Sequence, residues 1–204
     1  MKKSLTQIEN TRIISNLILW HLAGTREDIA GGLAWYKEAQ NFARYLSEKY
    51  SIDLYICACV ISRLSPNNRW ERNKIDAEAL IKAHTTGGVE EAMKVKVCTY
   101  GANKLKAISE LNGDSGFSAT SPKTHAFAMN VGLNSPDHIT IDKWHLRACI
   151  APPEDGVTDC TESCTLKQYQ RIEALTAQVA HSYELKGYEF QAQVWLTIKR
   201  IWNR

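Results

Sequence analysis

Residues 121–150 read SPKTHAFAMNVGLNSPDHITIDKWHLRACI, and this stretch decides the fold class. Pro122 suits the first turn of a helix, and the apolar spacing stays helical through Met129. "GLNSPD" (132–137) is a break. "HITI" (138–141) supplies the one β-like piece in the chain, too short to imply a sheet by itself. It ends on Asp142, immediately ahead of Lys143, Trp144 and His145, where a helix can begin. Asp142 therefore reads two ways: as the cap of that helix, or as a carboxylate delivered by an apolar run to a site of chemistry.

Outward from this stretch the spacing is helical nearly everywhere. Ile13, Ile14, Leu17, Ile18 and His21 share one face, and Leu33, Tyr36, Ala39, Ala43 and Leu46 share another. Ile56, Cys57, Val60, Ile61 and Leu64 have almost no charge between them, which predicts a buried helix. "SPNNRW" (65–70) breaks that run, and Asn67 or Asn68 can cap the next helix. "ERNKIDAEALIKAH" reads as that helix, ended by "TTGG", and "VEEAMKVKVCTYGANKLKAISEL" as another, interrupted at Gly101. After the loop "APPEDGVTDCTESC", Leu166, Tyr169, Ile172, Leu175 and Val179 line one closing helix. Phe190, Val194, Trp195, Ile198, Ile201 and Trp202 line the last, with Gln191 and Gln193 expected to face water. The fold class is all-α, with about nine short helices.

The 204 residues suffice for one compact domain or two small lobes, and 44% hydrophobic with 23% charged residues is an ordinary globular balance. A net charge of +3 tolerates a nucleic-acid partner without demanding one. "MKKSLTQIENTR" lacks the apolar core of a secretory signal, and no apolar run is long enough to span a bilayer. A cytoplasmic location with free thiols and no membrane partner is expected. No Gly-rich phosphate loop, His-Glu-x-x-His or Cys-x-x-Cys pattern occurs.

The pieces that remain stand in a fixed order: "VISRLSPNNRWERNKIDA", "NKLKAISEL", "SPKTHAFAMNV" and "ITIDKWHLRA". This set resembles the helix-hairpin-helix DNA glycosylase superfamily, the group that includes endonuclease III. Leu64, Ser65, Asn67 or Asn68, Asn73 and Lys74 stand where that family has its leucine-serine-x-glutamine segment and asparagine-lysine pair. Lys123 and Thr124 match the lysine-threonine that ends the family hairpin. Ile141, Asp142, Lys143, Trp144 and Arg147 match the pattern of its valine-aspartate-threonine-histidine and later arginine. The 19 residues from Lys123 to Asp142 (142 − 123) fit the family spacing. The resemblance covers roughly Ile56 to Ala148. A second resemblance, to uncharacterised bacteriophage proteins, is carried by "LAWYKEAQ", "LSPNNRWERNKIDA" and "FQAQVWLTIKR".

Two departures stand out. Ala119, Thr120 and Ser121 occupy the places of the family's glycine-x-glycine, which lets a hairpin backbone approach a DNA phosphate. Trp144 replaces the family histidine. The four-cysteine iron–sulfur loop of some members is not reproduced either, since Cys149, Cys160 and Cys164 have the wrong spacing and lack a fourth partner. His145 with those cysteines forms a minor zinc alternative to three unrelated thiols, so no metal or other cofactor is expected.

The resemblance implies a helical bundle of two lobes within one unit, a central lobe over about 53–118 and a second over about 1–52 plus 119–204. It implies a catalytic role for Asp142, whose carboxylate would stabilise positive charge on a sugar during base excision. Lys123 is either an attacking amine, a phosphate contact or a solvated lysine. Asn67 and Asn68 would read base edges or fill the gap left by an extruded base. Arg69, Arg72, Lys74, Ser121, Thr124 and Arg147 would meet the DNA backbone, and Trp70 would stack or anchor the core. Trp35, Tyr36 and Trp144 are a pocket wall or core aromatics. The expected function is a base-excising enzyme of DNA glycosylase type acting on a flipped nucleotide, phage-encoded and working as a monomer in the host cytoplasm. Two alternatives stay open. One is a thymidine-hypermodifying transferase, in which an amine displaces a leaving group on an activated 5-methyl uracil. The other is a catalytically inactive DNA- or protein-binding module.

Overall fold

In the computed structural model, which describes residues 5, 8–114, 116–117, 121–155 and 163–202, the chain is all-α. Among the described residues it forms nine α-helices and no strand. They are α1 (Asn10–Leu22), α2 (Arg26–Tyr50), α3 (Leu54–Leu64), α4 (Trp70–Lys94), α5 (Gly101–Leu111), α6 (Pro122–Gly132), α7 (Lys143–Ile150), α8 (Leu166–Ser182) and α9 (Gly187–Trp202). The chain divides into two units, Met1–Lys37 with Ser135–Arg204, and Glu38–Asn134. The central unit is wider at both ends than the 53–118 expected from pattern breaks. The second half of α2 and all of α6 belong to it.

The central unit is built around α3. Asp53 starts this helix by accepting from the Tyr55 and Ile56 N–H groups, which have no partner inside a first turn. Every residue from Cys57 to Leu64 is then buried. α4, α5 and α6 pack on α3. Polar groups on this apolar helix are paired: the Ser62 hydroxyl donates to Thr124 O at 2.5 Å, and Arg63 meets Glu110 at 2.7 Å with both side chains buried. Arg63 also covers the Phe117 ring and donates to Gly116 O, fixing the loop that leaves α5.

Two helix boundaries differ from the expected ones. "TTGG" does not end a helix; α4 kinks at Gly87 and Gly88 and continues to Lys94. Gly88 has φ 66°, which a side chain rarely adopts, so the glycine permits the kink. The next helix does not run on through "VKVCTY". Val95 is extended, the Cys98 N–H is taken by the Asp76 carboxylate at 2.8 Å, and Gly101 opens α5. A backbone donor claimed by a buried carboxylate cannot serve a helix ladder.

The terminal unit packs α1, α7, α8 and α9 about one core. Ile13, Leu17 and Trp20 give α1 its buried stripe, at helical spacing. Asn16 and Trp20, on that stripe, donate to Cys149 O and Ala151 O at 2.9 and 2.8 Å and so satisfy carbonyls at the end of α7. Thr165 and Gln168 form a capping box that starts α8. α2 approaches α9 closely: a Cβ on Gly32 would lie 2.7 Å from the Gln193 backbone, so only glycine fits. Leu33, expected on the core face, is exposed, while Tyr36, Ala39, Ala43 and Leu46 are buried.

Candidate active site

"HITID" is extended but finds no partner strand among the described residues. α8 supplies the missing ladder. The Tyr169 hydroxyl donates to Ile139 O at 2.6 Å and accepts from Ile141 N–H at 3.1 Å, and Glu173 accepts from Ile139 N–H at 2.9 Å. Burial pushes the Tyr169 hydroxyl well above the ordinary tyrosine range, so it stays a donor. Burial likewise raises Glu173, against the Ile139 N–H and nearby His138, which lower it.

Extended geometry alternates side chains, and the consequence here is functional. Ile139 and Ile141 enter the core, at 1% and 3% exposure. Thr140 and Asp142 therefore share the opposite face. Thr140 accepts from the buried Tyr36 hydroxyl at 3.0 Å, and the same hydroxyl lies 3.2 Å from Gln191 Oε1. Asp142 is half-buried. Its Oδ1 accepts from the N–H groups of Trp144 and His145 at 3.0 and 2.9 Å, so it does cap α7. A cap fixes one carboxylate oxygen and with it the plane of the group.

Asp142 lies within electrostatic reach of Tyr36 and of Lys199. Burial is the main cause that raises the Tyr36 hydroxyl; the Thr140 bond opposes this, and the Asp142 and Tyr188 charges add to it. Lys199 is lowered from the ordinary lysine value by burial, with Asp142 pulling the other way. Lys199 and Gln191 belong to one stripe of α9: Gln191, Trp195 and Lys199 stand at four-residue steps. The Lys199 ammonium sits 3.9 Å from the Trp195 ring centroid. Trp195 is 6.1 Å from Trp35, Trp35 is 4.8 Å from Tyr36, and Tyr36 is 4.8 Å from Tyr188, centroid to centroid. The site thus brings a fixed carboxylate and an ammonium together beside a row of aromatic rings. Gln191 and Gln193, expected to face water, are both buried.

The remaining candidates from the sequence are divided between the two units. In the terminal unit, Trp144 leans on Trp202 at the rim of the core, centroids 6.2 Å apart, and Arg147 stacks on Trp144 at 4.8 Å. In the central unit, Lys123 is exposed in the first turn of α6, whose cap residue Ser121 makes no side-chain cap bond. Thr124 Oγ1 donates to Ser121 O. Ala119 and Thr120 lie outside the described residues.

"SPNNRWERNK" is largely occupied by its own structure. Asn68 donates to Leu64 O and to Asp76, and Arg72 pairs with Asp76 at 2.7 Å. Asn73 donates to Ile61 O. Trp70 Nε1 and Lys74 Nζ both donate to Glu38 at 2.9 Å, and Trp70 meets Phe42 edge-on. Asn67, exposed with φ 56°, donates to the Tyr100 hydroxyl, and Arg69 is exposed.

Of the minor zinc set, Cys160 lies outside the described residues. His145 is buried with Nε2 against Thr176 Oγ1 at 2.9 Å, and burial lowers its pKa to about 3. Burial raises the Cys149 thiol. Among the described residues no cluster of His, Cys, Asp and Glu could hold a metal ion, and no helix is long and apolar enough to cross a membrane.

The chain belongs to the Family of unknown function (DUF7178), whose model matches residues 1–201. No curated protein matches the chain, and no solved structure does.

Proposed function

We propose that this protein acts on a nucleotide base in DNA, extruded from the helix, as a base-excising enzyme of glycosylase type with Asp142 as its catalytic carboxylate. The observation that carries the reading is the state of Asp142. Its Oδ1 is held by two backbone N–H groups, so the carboxylate is oriented before any substrate arrives. It is half-buried beside Tyr36, with the Trp35 and Trp195 rings in the same ring series. An oriented, partly desolvated carboxylate stabilises positive charge on a sugar more strongly than a solvated one. Flat rings suit the faces of a base taken out of its stack.

The order of sequence pieces from Leu64 to Arg147 supports the same reading. Lys123 then serves as a phosphate contact, since an exposed amine is poorly suited to attack a sugar. DNA is the partner, and the host cell cytoplasm of a phage-encoded protein is the expected place of action.

The test is mass spectrometry of DNA incubated with the protein, reading free bases and nucleosides separately. A free base supports excision. An altered nucleoside moves the same carboxylate to the transferase chemistry, in which it deprotonates an incoming amine. Neither product, with tight binding to DNA, leaves a binding module.

A further inference from the structure

Lys199 carries an unmet need. Its ammonium is half-buried on α9, over the Trp195 ring at 3.9 Å. Among the described residues it makes no hydrogen bond and no ion pair, although an ammonium has three N–H donors. A cation over an indole face recovers roughly 0.5–2 kcal/mol, less than an ammonium loses on leaving water. Burial lowers its pKa for this reason. The charged group within its reach is Asp142, on the extended segment. Tyr36 on α2 stays neutral, and Arg200, the next residue of α9, is turned to Asp28 at 2.7 Å.

A fixed negative group and an unsatisfied positive one in the same site match a reaction that separates charge. When a glycosidic bond breaks, its electron pair leaves with the base nitrogen. The sugar carbon becomes cationic, and water adds to it with loss of a proton. The base becomes anionic, and the charge spreads to the acceptor beside the glycosidic nitrogen, O2 of a pyrimidine or N3 of a purine. Resting on the reading of Asp142 as the catalytic carboxylate, we propose that Lys199 is a second catalytic residue, donating to that acceptor atom as the base departs while Asp142 faces the sugar. Trp195 holds the ammonium in place. Protonated Lys199 also supplies the proton that leaves with the base, and Asp142 takes the one lost by water.

The test is the rate of base release from duplexes carrying 5-fluorouracil, uracil or thymine, in the wild type, Lys199→Gln, Lys199→Arg and Asp142→Asn. These bases run from good to poor leaving groups. The expected result is a Lys199→Gln loss that grows along the series, to about a hundredfold on the poorest, while Asp142→Asn loses rate evenly. Wild-type activity falls as pH rises through the lowered lysine value, and Lys199→Arg removes that limb. An equal loss on all three bases, or none, overturns the role of Lys199 and leaves Asp142 standing. No release of any base by the wild type overturns both. Melting temperatures within a few degrees of wild type exclude misfolding as the cause, Lys199 being half-exposed.

Discussion

The turn 65–76 and the extended segment 138–142 are both polar interruptions between buried helices, and they spend their polar groups differently. In the turn, Asp76 gathers Asn68, Arg72 and the Cys98 N–H, while Glu38 gathers Trp70 and Lys74. Those groups hold the central unit together. In the segment, the backbone is satisfied by Tyr169 and Glu173 from α8. That leaves Thr140 and Asp142 to face Tyr36, Gln191 and Lys199. A backbone served from behind presents side chains in front; a turn held by its own side chains has few to present.

The contrast breaks most visibly at Asp76. Asp76→Ala strips the buried carboxylate from three donors and should cost about 3 kcal/mol. In a chain of this size that is a fall of roughly 6–12 °C in melting temperature, read by calorimetry. If stability is unchanged, the turn is not structural and its residues return as candidates for reading DNA.

Next in size is acid sensitivity in the terminal unit. Buried His145 stays neutral in the folded protein, with its pKa lowered to about 3 from 6.5. The unfolded chain takes up that proton first. The stability linked to His145 is therefore full above about pH 6.5 and drains away as pH falls toward 3. Thermal melts from pH 7 to pH 4 should decline more steeply in the wild type than in His145→Gln.

Smaller is Tyr169→Phe, which removes one hydroxyl from Ile139 O and Ile141 N–H and should cost about 1–2 kcal/mol. Its sharper signature is catalytic. The loosened segment should lower kcat more than it raises KM, because Asp142 loses its placement rather than its charge. An unchanged kcat would mean that the cap on α7 positions Asp142 without help from α8.

Much of this is legible in the sequence. Helical spacing marks α3 as buried and the class as all-α, and the break before Asp142 signals both its cap and its candidacy. The hidden features depend on tertiary partners. The "TTGG" kink and the gap before Gly101 arise from Gly88 and from Asp76 reaching Cys98, contacts that no local pattern displays. Gln191 reads as solvent-facing because polarity on a helix usually means water; it is buried because Tyr36 lies 3.2 Å from it. Lys199 gives little sign of itself at the end of an apolar helix. The stripe of Gln191, Trp195 and Lys199 at four-residue steps is its only signal.

The central claim is that Asp142 is a catalyst that also caps a helix, and one substitution separates the roles. Asparagine caps a helix about as well as aspartate, so Asp142→Asn should keep the melting temperature within about 2 °C. Base release from DNA, measured beside the wild type under single-turnover conditions, should fall at least about a hundredfold. Release at the wild-type rate by a stable Asp142→Asn protein would contradict the account and leave Asp142 as a cap alone.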